Sequence, residues 1–365
     1  MKLTVTQENL NRALQVVGRV ASGKTPLPIL NNILFRTDNN RLLLAATNLE
    51  LAITQHVGSK IEREGSVTIP ARLMSEFVAA LPKGNVELEV VDGTKMNIVC
   101  GAYKSTINGM APDEFPELPA IEEKQAVTLP IADFKRAIQQ TVVVASTDDT
   151  RPILTGVFCH SHEGSLYFAG TDGYRLAERR LTNTQQEISA VIPVTTLNDV
   201  LRVMNDDMVE AKLQFDDNQV RVLLDDIEVT SRLIDGQFPD YRQLIPKESD
   251  TIVSLPKDEF TRITKVASLF ARESGGSVTI NADAEAEKIS IHSVASQLGE
   301  NTSEASAEIN AEGQVTLNSR YLIDGLTCID SKQVQFRFSG KLAPCILTAA
   351  GGESDYQHVI MPLKS

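Results

Sequence analysis

The chain has 365 residues, and its 42% hydrophobic and 23% charged content is that of a globular protein in water. Its formal net charge of −13 argues against a simple basic-surface nucleic-acid binder. The opening MKLTVTQENLN has no apolar run and no stretch could span a bilayer, so the expectation is a cytoplasmic chain with neither secretory signal nor membrane helix.

Lys2–Thr6 reads as a strand, followed by a helix from Glu8 to Val20 that Gly23, Pro26 and Pro28 end. Strands follow at Ile29–Thr37, Arg41–Thr47 and Leu49–Val57, with Asp38-Asn39-Asn40 as a hairpin turn. Val67–Pro70 leads into a second helix, Ala71–Leu81, closed by Pro82 and Gly84. Val86–Val91, Met96–Cys100 and Tyr103–Ile107 complete the run, with Asp92-Gly93 as a hairpin turn. MAPDEFPELP, Met110–Pro119, leaves this domain.

The pattern then recurs. VTLPIADFKRAIQQTV at Val127–Val142 is strand, proline break and amphipathic helix, with Ile131, Phe134, Ala137, Ile138 and Thr141 at helical spacing. IVSLPKDEFTRITKVA at Ile252–Ala267 repeats it, so Leu10, Phe134 and Phe260 are cognate. Thr47 matches Thr171, Phe115-Pro116 matches Phe238-Pro239, Pro28 matches Pro152, and Pro70 matches Pro193 and Asn318. From Leu10 to Phe134 to Phe260 the offsets are 124 and 126 residues, and repeats of that size are domains rather than solenoid units. The reading is therefore α+β, three tandem copies at 1–122, 123–248 and 249–365, each with two helices on antiparallel sheets. Copy three diverges most, and its polar segment Gln297–Ser306 reads as a mobile loop.

Few residues suggest chemistry. Cys100, Cys159, Cys328 and Cys345 form no CxxC pair and read as buried reduced thiols. GRVASGKT at Gly18–Thr25 satisfies the phosphate-binding P-loop pattern. That motif needs a strand before it and a helix after it, whereas here a helix precedes it and Pro26 and Pro28 follow. A nucleotide-dependent enzyme is thus the weaker alternative. His160 and His162 share a strand face without further metal ligands and read as surface histidines. No catalytic residue, metal or cofactor is expected.

The helices carry a cationic pattern. Arg12, Arg136 and Arg262 fall in matched register, and Arg19, Lys24, Arg72, Lys135, Arg202, Lys265, Arg272 and Arg320 lie on or beside the six predicted helices. Glu8, Asp133, Asp199, Asp258 and Glu259 mostly fall in first turns, which suits the helix dipole. At the far end, the apolar run Val359–Leu363 needs an edge strand or a groove to occupy.

Several segments carry a resemblance: LPIL at Leu27–Leu30, IPAR at Ile69–Arg72, RPILTGV at Arg151–Val157 and TDGYRLA at Thr171–Ala177. DGQFPDYRQLIP at Asp235–Pro246 and VIMPL at Val359–Leu363 complete the set, and with MKLTV they span the whole chain. Together they resemble the bacterial DNA polymerase III β subunit family, the processivity sliding clamps. The resemblance implies a head-to-tail homodimer closed into a ring around duplex DNA, with helices lining the hole. It implies docking of a clamp loader, the replicative polymerase α subunit and other clamp-binding-motif proteins through a short Gln- and Leu/Phe-containing motif.

Carried over by motif, the peptide groove comprises Leu154, Thr171, Gly173, Tyr174, Arg175, Leu176, Pro239, Leu244, Pro344, Val359, Ile360, Met361, Pro362 and Leu363. In it, Arg175 is expected to bond a peptide carbonyl or to stack. Tyr174 stands where relatives often carry histidine, and Gln243 where a second arginine can occur. The implied DNA-facing set is Arg12, Arg19, Lys24, Arg72, Lys135, Arg136, Arg151, Arg202, Arg262, Lys265 and Arg320. The implied dimer contact places Ser105, Thr106 and Ile107 against Ser268, Leu269 and Phe270, with Arg272 and Glu273 nearby. A ring that holds DNA by topology needs no tight phosphate grip, which reconciles an acidic body with a DNA partner. A repeat scaffold that binds peptides without DNA is the remaining alternative.

Overall fold

The computed structural model describes residues 1–22, 27–122, 124–297, 299–351 and 354–364. The chain begins β1 (Lys2–Thr6), α1 (Gln7–Val17), β2 (Asn32–Asp38), β3 (Arg41–Thr47), β4 (Leu51–Val57) and β5 (Lys60–Arg63). Next come β6 (Ser66–Pro70), α2 (Ala71–Ala80), β7 (Asn85–Val91), β8 (Lys95–Cys100) and β9 (Tyr103–Asn108). Then follow β10 (Gln125–Pro130), α3 (Ile131–Val142), β11 (Gly156–His162), β12 (Ser165–Thr171) and β13 (Arg175–Asn183). They lead to β14 (Ser189–Pro193), α4 (Val194–Val203), β15 (Glu210–Phe215), β16 (Gln219–Leu224) and β17 (Ile227–Arg232). The last third contains β18 (Thr251–Pro256), α5 (Lys257–Phe270), β19 (Ser277–Asp283), β20 (Lys288–Ala295), β21 (Gly299–Ser306) and β22 (Glu308–Ile309). It ends with β23 (Gly313–Asn318), α6 (Ser319–Thr327), β24 (Gln333–Phe338), β25 (Cys345–Ala349) and β26 (Tyr356–Ile360). Strand, helix and three strands is the repeated unit, with one extra short strand, β5 or β22, in the units of α1 and α5.

Contacts divide the chain into two compact units, residues 1–132 with 198–233, and residues 133–197 with 234–365. The first unit holds a five-stranded sheet, β5-β1-β7-β8-β9, and an eight-stranded sheet, β10-β15-β16-β17-β4-β3-β2-β6. Its helix α1 starts where the Thr6 hydroxyl accepts from the Asn9 amide, satisfying one orphan donor of the first turn. Leu10, Ala13, Leu14 and Val17 then fall on one face, and all four are buried. Gln7 is buried as well, because its Nε2 donates to the Val78 carbonyl of α2 at 2.8 Å.

The second unit holds a nine-stranded sheet, β14-β11-β12-β13-β26-β25-β24-β18-β22, and a four-stranded sheet, β21-β20-β19-β23. Antiparallel pairing of β13 with β26, Arg175 opposite Ile360 and Leu176 opposite Val359, makes the larger sheet continuous. Beneath it Phe260, Ile263, Leu322, Leu326, Phe336 and Phe338 form one core cluster with Ala177 and Ile360. Each fully buried phenylalanine contributes roughly 2 kcal/mol of burial. Proline precedes α5 at Pro256, while Asn318 caps α6 by accepting from the Arg320 amide at 2.9 Å.

Four local expectations need correction. Helix α1 ends at Val17, with Gly18 donating to the Leu14 carbonyl, so the chain turns before Gly23. The segment expected to be a strand from Ile29 begins as a 3-10 turn, Pro28–Asn31, because Pro28 at its first position supplies a helical φ. Leu49 stands in a turn at φ 77 rather than in a strand. The polar segment expected to be a mobile loop is β21, paired with β20 from Gly299 to Ser306. As an edge strand it has few side chains to bury, so its apolar alternation is weak.

Candidate functional site

The turn from Thr171 to Arg175 is built by its own side chains. The Thr171 hydroxyl donates to the Arg175 carbonyl at 2.7 Å and accepts from the Gly173 amide at 3.0 Å. Asp172 Oδ1 accepts from the amides of Tyr174 and Arg175 at 2.9 and 3.0 Å. Gly173 sits at φ +92, a conformation that a side chain disfavours. The turn thereby pushes the Tyr174 ring outward, where it is 61% exposed.

Arg175, expected to bond a peptide carbonyl or to stack, makes three hydrogen bonds within the chain. Its Nε donates to Asp172 Oδ2 at 3.0 Å, Nη1 to Asp324 Oδ2 at 2.6 Å, and Nη2 to the Val143 carbonyl at 2.8 Å. The guanidinium also lies 4.4 Å over the Tyr321 ring. Every nitrogen is committed, and the side chain fastens β13 to α6 and to the end of α3. Asp172, Asp324 and Tyr321 were not singled out by sequence, since only folding brings them to Arg175.

The chain's last residues run beside this turn. Met361 donates its amide to the Tyr174 carbonyl and Leu363 donates to the Thr316 carbonyl, each at 2.8 Å. Pairing of Cys345 with Ile360 brings Pro344 alongside Met361. Leu154, Leu176 and Val359 are buried together with Phe238, Tyr241 and Ile346, forming an apolar floor. Tyr174, Pro239 and Leu244 are exposed above it, while Thr171, Met361, Pro362, Leu363 and Pro344 are half-buried. Ile360 does not join them. Strand alternation turns it to the opposite face, into the core with Phe260 and Phe336.

The FPDYR segment covers the neighbouring face of the sheet. Phe238 stacks on Phe158 with centroids 4.9 Å apart. His160, expected at the surface, is buried between the rings of Phe158 and Tyr167, at 4.4 and 5.7 Å. Desolvation, reinforced by Arg242, pushes its pKa down to about 4. The covering loop arrives from Phe238 onward, which strand periodicity could not reveal. His162 stays at the surface, 3.6 Å from Glu163.

The predicted cationic residues lie on all six helices: Arg12, Arg72, Arg136, Arg202, Arg262, Lys265 and Arg320 are exposed, and Lys135 is half-buried. Arg19 and Arg151 are exposed beside helices, and Lys24 lies outside the described residues. Several already face acids: Arg72 with Glu76 at 2.9 Å, Arg136 with Asp330 at 3.0 Å, Arg151 with Asp148 at 3.3 Å and Arg202 with Asp199 at 2.9 Å. Exposed pairs of this kind are worth under about 1 kcal/mol and exchange readily.

Ser105, Thr106 and Ile107 lie on β9, an edge of the five-stranded sheet. Ile107 points into its own core, leaving Thr106 exposed, with its hydroxyl on Asn97 at 2.7 Å. Ser268, Leu269 and Phe270 end α5, where Leu269 and Val266 are exposed, and Arg272 and Glu273 form the next turn. Edge strand β21 in the second unit is a further unpaired edge that the sequence reading took for a loop.

Other sequence motifs fall away. Helix α1 precedes Gly18, and a 3-10 turn, Val20–Ser22, follows it, so the strand–loop–helix context of a P-loop is missing up to Ser22. All four cysteines are free, and burial raises Cys328 to about 11 and Cys345 to about 12, far from nucleophilic thiolates. No helix among the described residues is long and apolar enough to cross a membrane.

Comparison with known proteins fits this arrangement. The DNA polymerase III beta subunit N-terminal, central and C-terminal domain models match residues 1–119, 128–240 and 242–364. The beta sliding clamp of Bacillus subtilis is 30% identical, with all of both chains covered. That of Synechocystis is also 30% identical, covering all of this chain and 99% of the relative. The crystal structure of the DNA polymerase sliding clamp from Bacillus subtilis superposes with a TM-score of 0.94 at 30% identity, covering all of this chain and 99% of that one. With three domain models in series and relatives aligned end to end, the chain belongs to the DNA polymerase III beta subunit family, the beta sliding clamps.

Proposed function

We propose that the chain is a DNA sliding clamp, a ring-shaped homodimer that encircles duplex DNA and tethers the replicative polymerase. The observation that carries the tethering role is the apolar floor of Leu154, Leu176 and Val359, with Tyr174, Leu244 and Met361 above it. A Leu or Phe side chain of a partner peptide finds apolar area to bury there, and Met361 can adapt to several partners. The role is non-catalytic: the clamp raises processivity by keeping the enzyme on its template. Domains at 1–122, 123–248 and 249–365 supply the ring segments. β9 of one chain meets α5 and the β21 edge of the other, and the clamp loader opens this contact. The helix cations centre the duplex without gripping it, since Arg72, Arg136 and Arg202 among them have acids to return to. The cytoplasm is the compartment this role requires.

Electron-microscope imaging of the purified protein, averaged into two-dimensional classes, tests the assembly. A hollow ring of two chains is the expected result. A compact particle without a hole, at concentrations where sedimentation shows a dimer, would overturn the encircling mechanism.

A further inference from the structure

We infer that Tyr241 is a positioning residue for peptide binding: it anchors the 3-10 turn Tyr241–Leu244 to β11 and β13 and so fixes Pro239 and Leu244 at the groove rim. The inference rests on the groove proposed above and deepens it. Pro239 and Leu244 are exposed, Leu244 by 53%, so neither is held by its own burial. Between them in sequence, Tyr241 is only 2% exposed.

The Tyr241 hydroxyl is the hub of a polar network. It donates to Glu178 Oε2 on β13 and lies 2.7 Å from His160 Nε2 on β11. A neutral His160 carrying its proton on Nε2 donates to the phenol oxygen, so the hydroxyl both donates and accepts. Glu178 Oε1 accepts from Gln357 Nε2 of β26 at 2.8 Å. Arg242 Nη2 lies 2.8 Å from Glu178 Oε2, close enough for charge attraction though off the line of a good hydrogen bond. The same guanidinium covers the Tyr167 ring at 4.3 Å.

Packing alone does not hold the turn. A hollow of about 800 Å³ opens beside it, bordered by Phe158, His160, Tyr241, Arg242, Ile245 and Lys247. The backbone of the turn is short, with the Ile245 amide on the Arg242 carbonyl at 3.3 Å. The phenol hydroxyl therefore decides how much of the time the rim is formed. A peptide binds the formed rim, so its apparent affinity falls with the fraction of chains in that state.

The test is a double-mutant cycle read by fluorescence anisotropy of a labelled short peptide containing Gln and a Leu-Phe pair. Tyr241→Phe keeps the ring and deletes the hydroxyl. It should weaken the peptide about fivefold, the worth of one net hydrogen bond. In a Leu244→Ala background the same change should have a smaller effect, because the Leu244 contact it positions is already gone. Glu178→Gln, which keeps the shape but removes the charge, should show the same coupling and serves where Tyr241→Phe unfolds. Unchanged affinity, or a loss fully additive with Leu244→Ala, would overturn the positioning role. Met361→Asp separates the two levels: if it leaves peptide affinity intact, the groove itself is wrong. If it abolishes binding while Tyr241→Phe does nothing, only the anchor is wrong.

Discussion

The turn at Thr47–Leu51 in the first unit and the turn at Thr171–Arg175 in the second have the same skeleton and different chemistry. Thr47 donates to the Leu51 carbonyl at 3.0 Å, as Thr171 does to Arg175 at 2.7 Å. Asn48 Oδ1 accepts from the Glu50 and Leu51 amides, as Asp172 Oδ1 does from those of Tyr174 and Arg175. Both turns are followed by a strand paired antiparallel, β4 with β17 and β13 with β26. Each lies near a small apolar cluster under an Phe-Pro segment, Phe115 with Leu30 in one and Phe238 with Leu154 in the other. Beside the first turn, however, is a hollow of about 300 Å³ bordered by Glu50, Glu117 and Arg232. Beside the second stand Tyr174, Leu244 and Met361. The two turns share a backbone solution, and the proposed binding surface differs from its counterpart in a few side chains.

Arg175 is the largest difference, and replacing it tests the contrast most severely. Arg175→Leu installs the residue of the first turn, Leu51. It leaves the Asp172 and Asp324 carboxylates without their cation in a place where Arg175 is only 10% exposed. A loss of about 3 kcal/mol in urea unfolding is expected. Adding Asp172→Asn, the Asn48 counterpart, should recover about 1 kcal/mol by removing one stranded charge. A single-mutant loss below about 1 kcal/mol would mean that the lock between β13 and α6 is ornamental.

Acid should discriminate between the two units by a smaller margin. The second unit contains both deeply buried histidines, His160 and His358. His358 lies fully buried against Gly325, where an added Cβ would meet its ring at 2.9 Å, and the Tyr356 hydroxyl is 2.8 Å from its Nδ1. Burial, with Arg175 adding, pushes it down to about 3, and His160 stands at about 4, against 6.5 for a free imidazole. Between those values the unfolded chain binds more protons than the folded one, so stability rises with pH there. The contribution is complete above about pH 6.5 and drains away as pH falls toward 4, at about 1.4 kcal/mol per unit for each histidine. The first unit's His56 is only half-buried, beside Asp38 at 3.1 Å. Hydrogen exchange at about pH 5 should therefore open the second unit first, and His358→Gln should flatten the slope. Equal opening of both units would remove the assignment.

These contrasts also mark how far the sequence could be read. The repeat was legible because Leu10, Phe134 and Phe260 sit on buried helix faces, and helical periodicity is a local signal. The proposed groove was assembled from motifs, since TDGYRLA and VIMPL are each continuous in the chain. What escaped was whatever depends on contacts between distant segments. Arg175 finds Asp324 from 149 residues away, so its donors looked free in sequence. His160 became buried through a loop 81 residues later that brings Tyr241. Ile360 was carried over with Val359 as part of one motif, although a strand sends neighbours to opposite faces. β21 looked like a loop because Gly299–Ser306 has nothing apolar larger than alanine.

The smallest effect bears on the backbone itself. Leu49 holds φ 77 where Gly173 holds φ 92, so the first turn carries strain that the second avoids. An L-residue in that region costs about 1–2 kcal/mol. Glycine relieves this but gives back about 0.5–1 kcal/mol in unfolded-chain entropy. Leu49 is 49% exposed and loses little burial on truncation. Leu49→Gly should therefore stabilise the protein by about 0.5 kcal/mol, seen as a small rise in the urea midpoint. Gly173→Leu should do the reverse and cost about 1–2 kcal/mol, mostly in the backbone. Among the described residues, an added Cβ would meet only Arg151 Nη1 at 3.3 Å, the end of a flexible side chain. If Leu49→Gly instead destabilises, the Leu49 side chain holds more by packing than its backbone loses by strain. The two turns would then share their hydrogen bonds while being kept in place by different forces.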